Sequence, residues 1–87
     1  MAIYLVDRNK GKLALELCKE DPEAKICLIQ DGVYLDIEEL KGKRIVMAID
    51  KEVKRRGLDN LLPSWVERID YPRLLELIFQ EKVYNFI

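Results

Sequence analysis

The chain predicts an α/β fold: one small domain with a mostly parallel sheet of four or five strands flanked by helices. Three observations carry this. Ile26-Cys27-Leu28-Ile29 is a continuous apolar run that stops at Gln30-Asp31-Gly32, as a strand buried on both faces of a parallel sheet does. Runs of that kind alternate along the chain with segments whose apolar residues recur every three or four positions, and such alternation builds a parallel-sheet domain. The 87 residues, 49% hydrophobic and 36% charged, suit a single core rather than two domains or a disordered segment.

Ala2 to Val6 is the first predicted strand, and Asp7-Arg8-Asn9 offers polar caps for the helix after it. Between Lys10 and Lys19, Leu13, Ala14, Leu17 and Cys18 share one helical face, and Glu20-Asp21-Pro22-Glu23 stops the helix. Ile26 to Gln30 is the second strand, and Asp31-Gly32 turns the chain. Val33 to Leu40 reads as a short extended piece followed by a helical turn around Ile37 to Leu40. Lys41-Gly42-Lys43 turns again into a third buried strand, Arg44 to Ile49.

Asp50 is placed to cap a helix from Lys51 to Arg56 that Gly57 ends. A loop from Asn60 to Ser64 leads to a short fourth strand, Val66 to Ile69. Pro72 stands where a helix tolerates it, in the first turn, and Tyr71, Leu74, Leu75 and Ile78 make one face. The tail from Lys82 to Ile87 is too apolar for a free end and is expected to dock.

Composition excludes several function classes. A net charge of −1 does not build the broad basic surface that grips nucleic acid. The chain has no His and no Thr, and Ser64 is its one Ser, so a triad or Cys-His pair lacks its imidazole. Two cysteines cannot complete a four-cysteine zinc site. Gly11, Gly32, Gly42 and Gly57 lie too far apart for a phosphate loop. No apolar run reaches the roughly 20 residues that span a bilayer, and Met1 to Asp7 reads as a strand rather than a leader. The expected location is cytoplasmic, without membrane attachment.

Residues with chemical potential each carry a plainer reading. Asp7, Asp31 and Asp50 fall at predicted strand ends, where converging carboxylates would hold Mg²⁺ for phosphotransfer; capping and turn ordering explain them more simply. Cys18 sits near the C-terminal end of its helix, where the dipole disfavours a thiolate, and its apolar face favours packing. Cys27, inside the second strand, reads as a small buried hydrophobe. Arg55 and Arg56 complement a helix C-terminus as a solvated helix end, or contact an anion or RNA. Trp65 is either an interface anchor or the edge of the core. Gln30, Asp31, Gly32 and Tyr34 mark the carboxyl end of the second strand, where open α/β sheets place ligand edges.

Three ordered stretches resemble the TusB/DsrH family of sulfur-relay subunits: Leu28-Ile29-Gln30-Asp31-Gly32-Val33, Lys54-Arg55-Arg56-Gly57-Leu58, and Ile69-Asp70-Tyr71 with Leu74 and Leu77. The resemblance spans nearly the whole chain. It implies a DsrE-like fold working beside DsrE/TusD-like and DsrF/TusC-like subunits. In such assemblies sulfur passes as persulfide between cysteines, ending in the Tus system as the 2-thio group of a tRNA wobble uridine. The DsrE/TusD-type sister carries the principal accepting cysteine, and no metal or organic cofactor is implied.

Some DsrH-type members have a cysteine before the second strand, which marks Cys18 as the sulfur acceptor if this chain has one. The resemblance thus implies an accessory subunit, with the edge at Gln30, Asp31, Gly32 and Tyr34 facing partners. Whether tRNA is touched directly stays open. The alternatives are a free-standing homo-oligomeric binding module and, more remotely, a Mg²⁺-dependent phosphotransfer enzyme.

Overall fold

The computed structural model describes residues 2–87. Strands β1 (Ala2–Val6), β2 (Lys25–Leu28), β3 (Ile45–Ile49), β4 (Glu67–Ile69) and β5 (Lys82–Phe86) form one sheet in the order β4-β3-β2-β1-β5. Every neighbouring pair is parallel. Helices α1 (Gly11–Cys18), α2 (Asp50–Arg55) and α3 (Tyr71–Gln80) connect them, together with 3-10 turns at Arg8–Lys10, Gln30–Tyr34 and Glu38–Leu40.

The strand order dictates the layers. The chain steps one way from β1 to β4 and then returns past β1 to place β5. Right-handed crossovers therefore put α1 and α2 on one face and α3 on the other. The two cores obey this. Tyr4, Val6, Ile26, Leu28, Val46 and Ala48 pack with Ala14, Cys18 and Val53, while Ile3, Leu5, Cys27, Met47 and Ile49 pack with Leu74 and Leu77. Successive residues of β1 to β3 alternate between the cores, which is why these strands read as unbroken apolar runs.

The apolar tail docks as β5, its full length registered against β1 from Ala2↔Lys82 to Val6↔Phe86. Tyr84 and Phe86 meet Tyr4 with ring centroids 5.3 Å apart in each case. Lys25, at the start of β2, reaches Glu81 at the end of α3 (3.1 Å, largely buried), which fixes the far end of that helix. No helix among the described residues is long and apolar enough to cross a membrane.

Three local expectations are corrected. β2 ends at Leu28, because Gln30 adopts a left-handed backbone (φ 48°) and the expected Asp31-Gly32 turn is a 3-10 helix that also takes in Val33. Asp50 does not cap α2. It is the first helical residue, and its carboxylate goes to Lys54 at 3.0 Å and Arg68 at 3.5 Å. Asp7 does cap, but it caps the 3-10 turn by accepting from the Arg8 backbone N–H at 2.6 Å.

Candidate functional site

The carboxyl ends of β2, β3 and β4 launch the Gln30–Tyr34 turn, α2 and α3 respectively, so residues distant in sequence gather at one sheet edge. The turn is pinned first. Ile29 donates its N–H to the Val6 carbonyl at 3.1 Å, and Gly32 donates to the Ile29 carbonyl at 2.8 Å. A Cβ at position 32 would stand 2.1 Å from the Val6 carbonyl oxygen; only glycine lets the turn lie this close to the end of β1. Gln30 carries the left-handed conformation that delivers Asp31 to the edge.

Asp31 then accepts from Arg56 Nε at 2.9 Å, joining the turn to α2. Gly57, at φ +67°, ends α2 directly after Arg56. Arg56 also binds Glu52 one helical turn back, through Nη1. Glu52 is 3% exposed, the one buried charged residue among the described residues. Its second oxygen accepts from the Tyr71 hydroxyl at 2.9 Å, and Arg55 lies 3.6 Å away. A carboxylate this deep requires such partners.

Burial pushes the Glu52 carboxyl up, but hydrogen bonds from Tyr71 and Arg56 and the charges of Arg55 and Arg56 outweigh it and hold the group below the ordinary carboxylate range. The same bond to Glu52, helped by burial, raises Tyr71. The result is a clasp, anionic at its centre and cationic at its rim, where Arg55 remains largely exposed.

Cys18 lies at the opposite, amino edge of the sheet, since α1 ends where the chain turns back towards β2. Five strand residues separate the two edges by about 15 Å. The Cys18 side chain is fully buried, and its thiol donates to the Leu15 carbonyl at 3.2 Å. Burial raises the thiol above its usual value, while Arg44 and Lys19 pull the other way. Arg44 Nη2 donates to the Cys18 carbonyl at 2.9 Å, and the buried Arg44 Nε has no partner. Lys19, Lys43 and Arg44 line a cavity of about 340 Å³ here. Cys27 is buried inside β2, which pushes its thiol up to about 12.

The structure therefore brings Gln30, Asp31, Gly32, Arg55 and Arg56 together and leaves Cys18 apart. Tyr34 is half exposed and lines a separate cavity of about 210 Å³ with Leu58, Leu61 and Leu62. Trp65 packs partly buried against the core beside α1 and α2. Asp7, Asp31 and Asp50 do not converge: each has its own partner, and no group of three His, Cys, Asp or Glu among the described residues could hold a metal ion. That geometry removes the three-aspartate Mg²⁺ site. Glu52 and Tyr71 are the site residues that sequence reasoning misses. The four-residue spacing of Glu52 and Arg56 is the signal that was open to it.

No protein-family profile matches the chain, and no curated protein matches it. Among solved structures the chain is similar to the crystal structure of the ychN protein from E. coli, with a TM-score of 0.76 and 18% sequence identity over 98% of this chain and 97% of that one. At that identity the likeness is one of fold.

Proposed function

We propose that this chain is an accessory subunit of a cytoplasmic sulfur-relay assembly of the TusB/DsrH type, in which persulfide sulfur moves between sister subunits towards the 2-thio group of a tRNA wobble uridine. One observation carries the reading: the three stretches on which the family resemblance rests meet in a single polar cluster. Asp31 of the first stretch binds Arg56 of the second, and Arg56 shares Glu52 with Tyr71 of the third. The resembling residues thus share one edge of the sheet, where a sister subunit would meet them together.

The chemistry divides between the chain and its partners. In persulfide transfer a thiolate attacks the outer sulfur of a donor persulfide. The new S–S bond forms at the acceptor, the donor S–S bond breaks, and the donor leaves as a thiolate, with no net oxidation. An acceptor must be ionised and within reach of another chain. Cys27 is neither. Cys18 has cations beside it but is buried. The chain thus contributes contact surface, the DsrE/TusD-like partner contributes the principal accepting cysteine, and Cys18 is the acceptor here if this chain takes sulfur.

Copurification with DsrE/TusD-like and DsrF/TusC-like subunits of the same organism tests the reading. A stable complex that Arg55→Glu weakens supports it; a chain that binds neither subunit overturns it. Mass spectrometry of that complex, after incubation with a cysteine desulfurase and cysteine, assigns the role. Sulfur added at Cys18 makes this chain a carrier, and none makes it a scaffold.

A further inference from the structure

Among the described residues, three cationic residues are partly withdrawn from solvent: Lys25, Arg44 and Arg56. Two of them are answered by carboxylates, Lys25 by Glu81 at 3.1 Å and Arg56 by Asp31 at 2.9 Å and by Glu52. Arg44 holds only backbone carbonyls. Its Nη1 donates to the Lys43 carbonyl and its Nη2 to the Cys18 carbonyl, each at 2.9 Å, while its buried Nε has no acceptor. The two carbonyls make Arg44 a cap for the end of α1, but a carbonyl dipole does not neutralise a guanidinium. A shielded charge calls for an anion, and a buried donor for an acceptor.

Arg44 helps to wall a cavity of about 340 Å³ whose other sides are Cys18, Lys19, Glu39, Leu40 and Lys43. We infer that this cavity binds a small organic carboxylate, its anion against Arg44 and Lys43 and its short apolar body against Leu40. Charge sets the first half of the assignment. Lys19 is already shared between Glu16 at 3.2 Å and Glu39 at 3.8 Å, whereas Lys43 and Arg44 take no carboxylate from the chain. These five groups together leave one positive charge over, which suits a monoanion rather than a phosphate dianion. The paired oxygens of a carboxylate also match the planar donor edge of an arginine.

The wall sets the second half. Leu40 and Cys18 are buried apolar residues, and the cavity is far larger than the roughly 30 Å³ share of one water. A bare ion would leave that apolar surface wet, and a few methylene groups cover it. Entry is through the rim. The side chains of Lys19 and Glu39 are 53% and 84% exposed, and Lys43 is exposed as well, so the rim can part without disturbing the core.

An NMR titration of the isotope-labelled full chain with sodium butyrate tests this, read at the Arg44 Nε–H and at the amides of Leu40 and Lys43. The expected result is a saturable shift at all three, weakened by sodium chloride. Butyrate should bind several-fold more tightly than acetate, because its extra methylene groups reach the apolar wall. Arg44→Gln should weaken butyrate binding at least about tenfold. That change also removes the cap of α1, so two exposed side chains supply the independent check. Lys43→Gln should weaken binding, and Glu39→Gln, which takes a negative charge off the rim, should tighten it.

Shifts that never saturate overturn the inference, as do equal affinities for acetate and butyrate, tighter binding of inorganic phosphate, or indifference to both Lys43→Gln and Glu39→Gln. The site needs neither a sister subunit nor sulfur at Cys18. A chain that binds butyrate but joins no relay complex sinks the proposed function alone, and one that joins the complex but ignores butyrate sinks this inference alone.

Discussion

The Tyr71 hydroxyl donates to Glu52 across 2.9 Å and so joins the helix that follows β4 to the helix that follows β3. Arg56 binds the other oxygen of the same carboxylate and extends the link to Asp31 behind β2. Three connections leaving three adjacent strands are held by one buried anion. The arrangement is stable only while every member has its partner.

Removing the anion should therefore cost more than removing any one of its donors. Glu52→Ala leaves Arg56 with Asp31 alone and is expected to destabilise the fold by about 3 kcal/mol, the lower end for breaking a buried pair. Tyr71→Phe deletes one hydrogen bond and should cost about 1 kcal/mol. Urea titrations of the two variants measure both, and equal losses would mean that the clasp is not centred on Glu52.

The clasp also predicts a pH dependence. The folded-state Glu52 carboxyl lies below its ordinary value of 4.5, so the native state binds its proton less readily than the unfolded chain does. The stability this contributes is fully present above the unfolded value and is lost as pH falls through the folded one. Denaturation midpoints measured from pH 7 downward should fall less steeply in Glu52→Gln than in the natural chain.

Gly32→Ala places a methyl group 2.1 Å from the Val6 carbonyl oxygen, a backbone atom that cannot rotate away. The expected cost is about 2 kcal/mol or more. Amide exchange should quicken at Ile29, whose N–H donates to that carbonyl, and at the amide of position 32. Unchanged protection at both amides would show that the turn can lift off β1 freely.

Both thiols should be slow towards alkylating reagents at pH 8 in the native state. Cys27 is held near 12 by burial and Cys18 is raised despite its cationic neighbours. Native labelling should accelerate to the rate of a free thiol only with unfolding. If Cys18 labels readily while the fold is intact, the lining of its cavity opens on its own.

The parallel sheet is legible in the sequence because β1, β2 and β3 are buried on both faces and so lack polar interruptions. The tail's apolar residues announce docking, but its place beside β1 depends on pairing with the other end of the chain, which no local pattern encodes. Gln30 carries no mark of its left-handed backbone. That conformation follows from the Val6 carbonyl holding Ile29 while Gly32 is pressed against it. Asp50 looks like a cap until Arg68, on another strand, competes for its carboxylate. Glu52 looks like one more helix-surface acid, because the tyrosine that buries it lies 19 residues further on.

The position of β5 has a consequence for how the protein is made. Of the five strands β1 is made first, yet its second neighbour, β5, is made last. Until β5 joins it, Ala2-Ile3-Tyr4-Leu5-Val6 presents an open apolar edge, the kind of template on which foreign strands accumulate. A nascent chain stalled before Lys82 is thus predisposed to aggregate, whatever the state of α1, α2 and the other three strands.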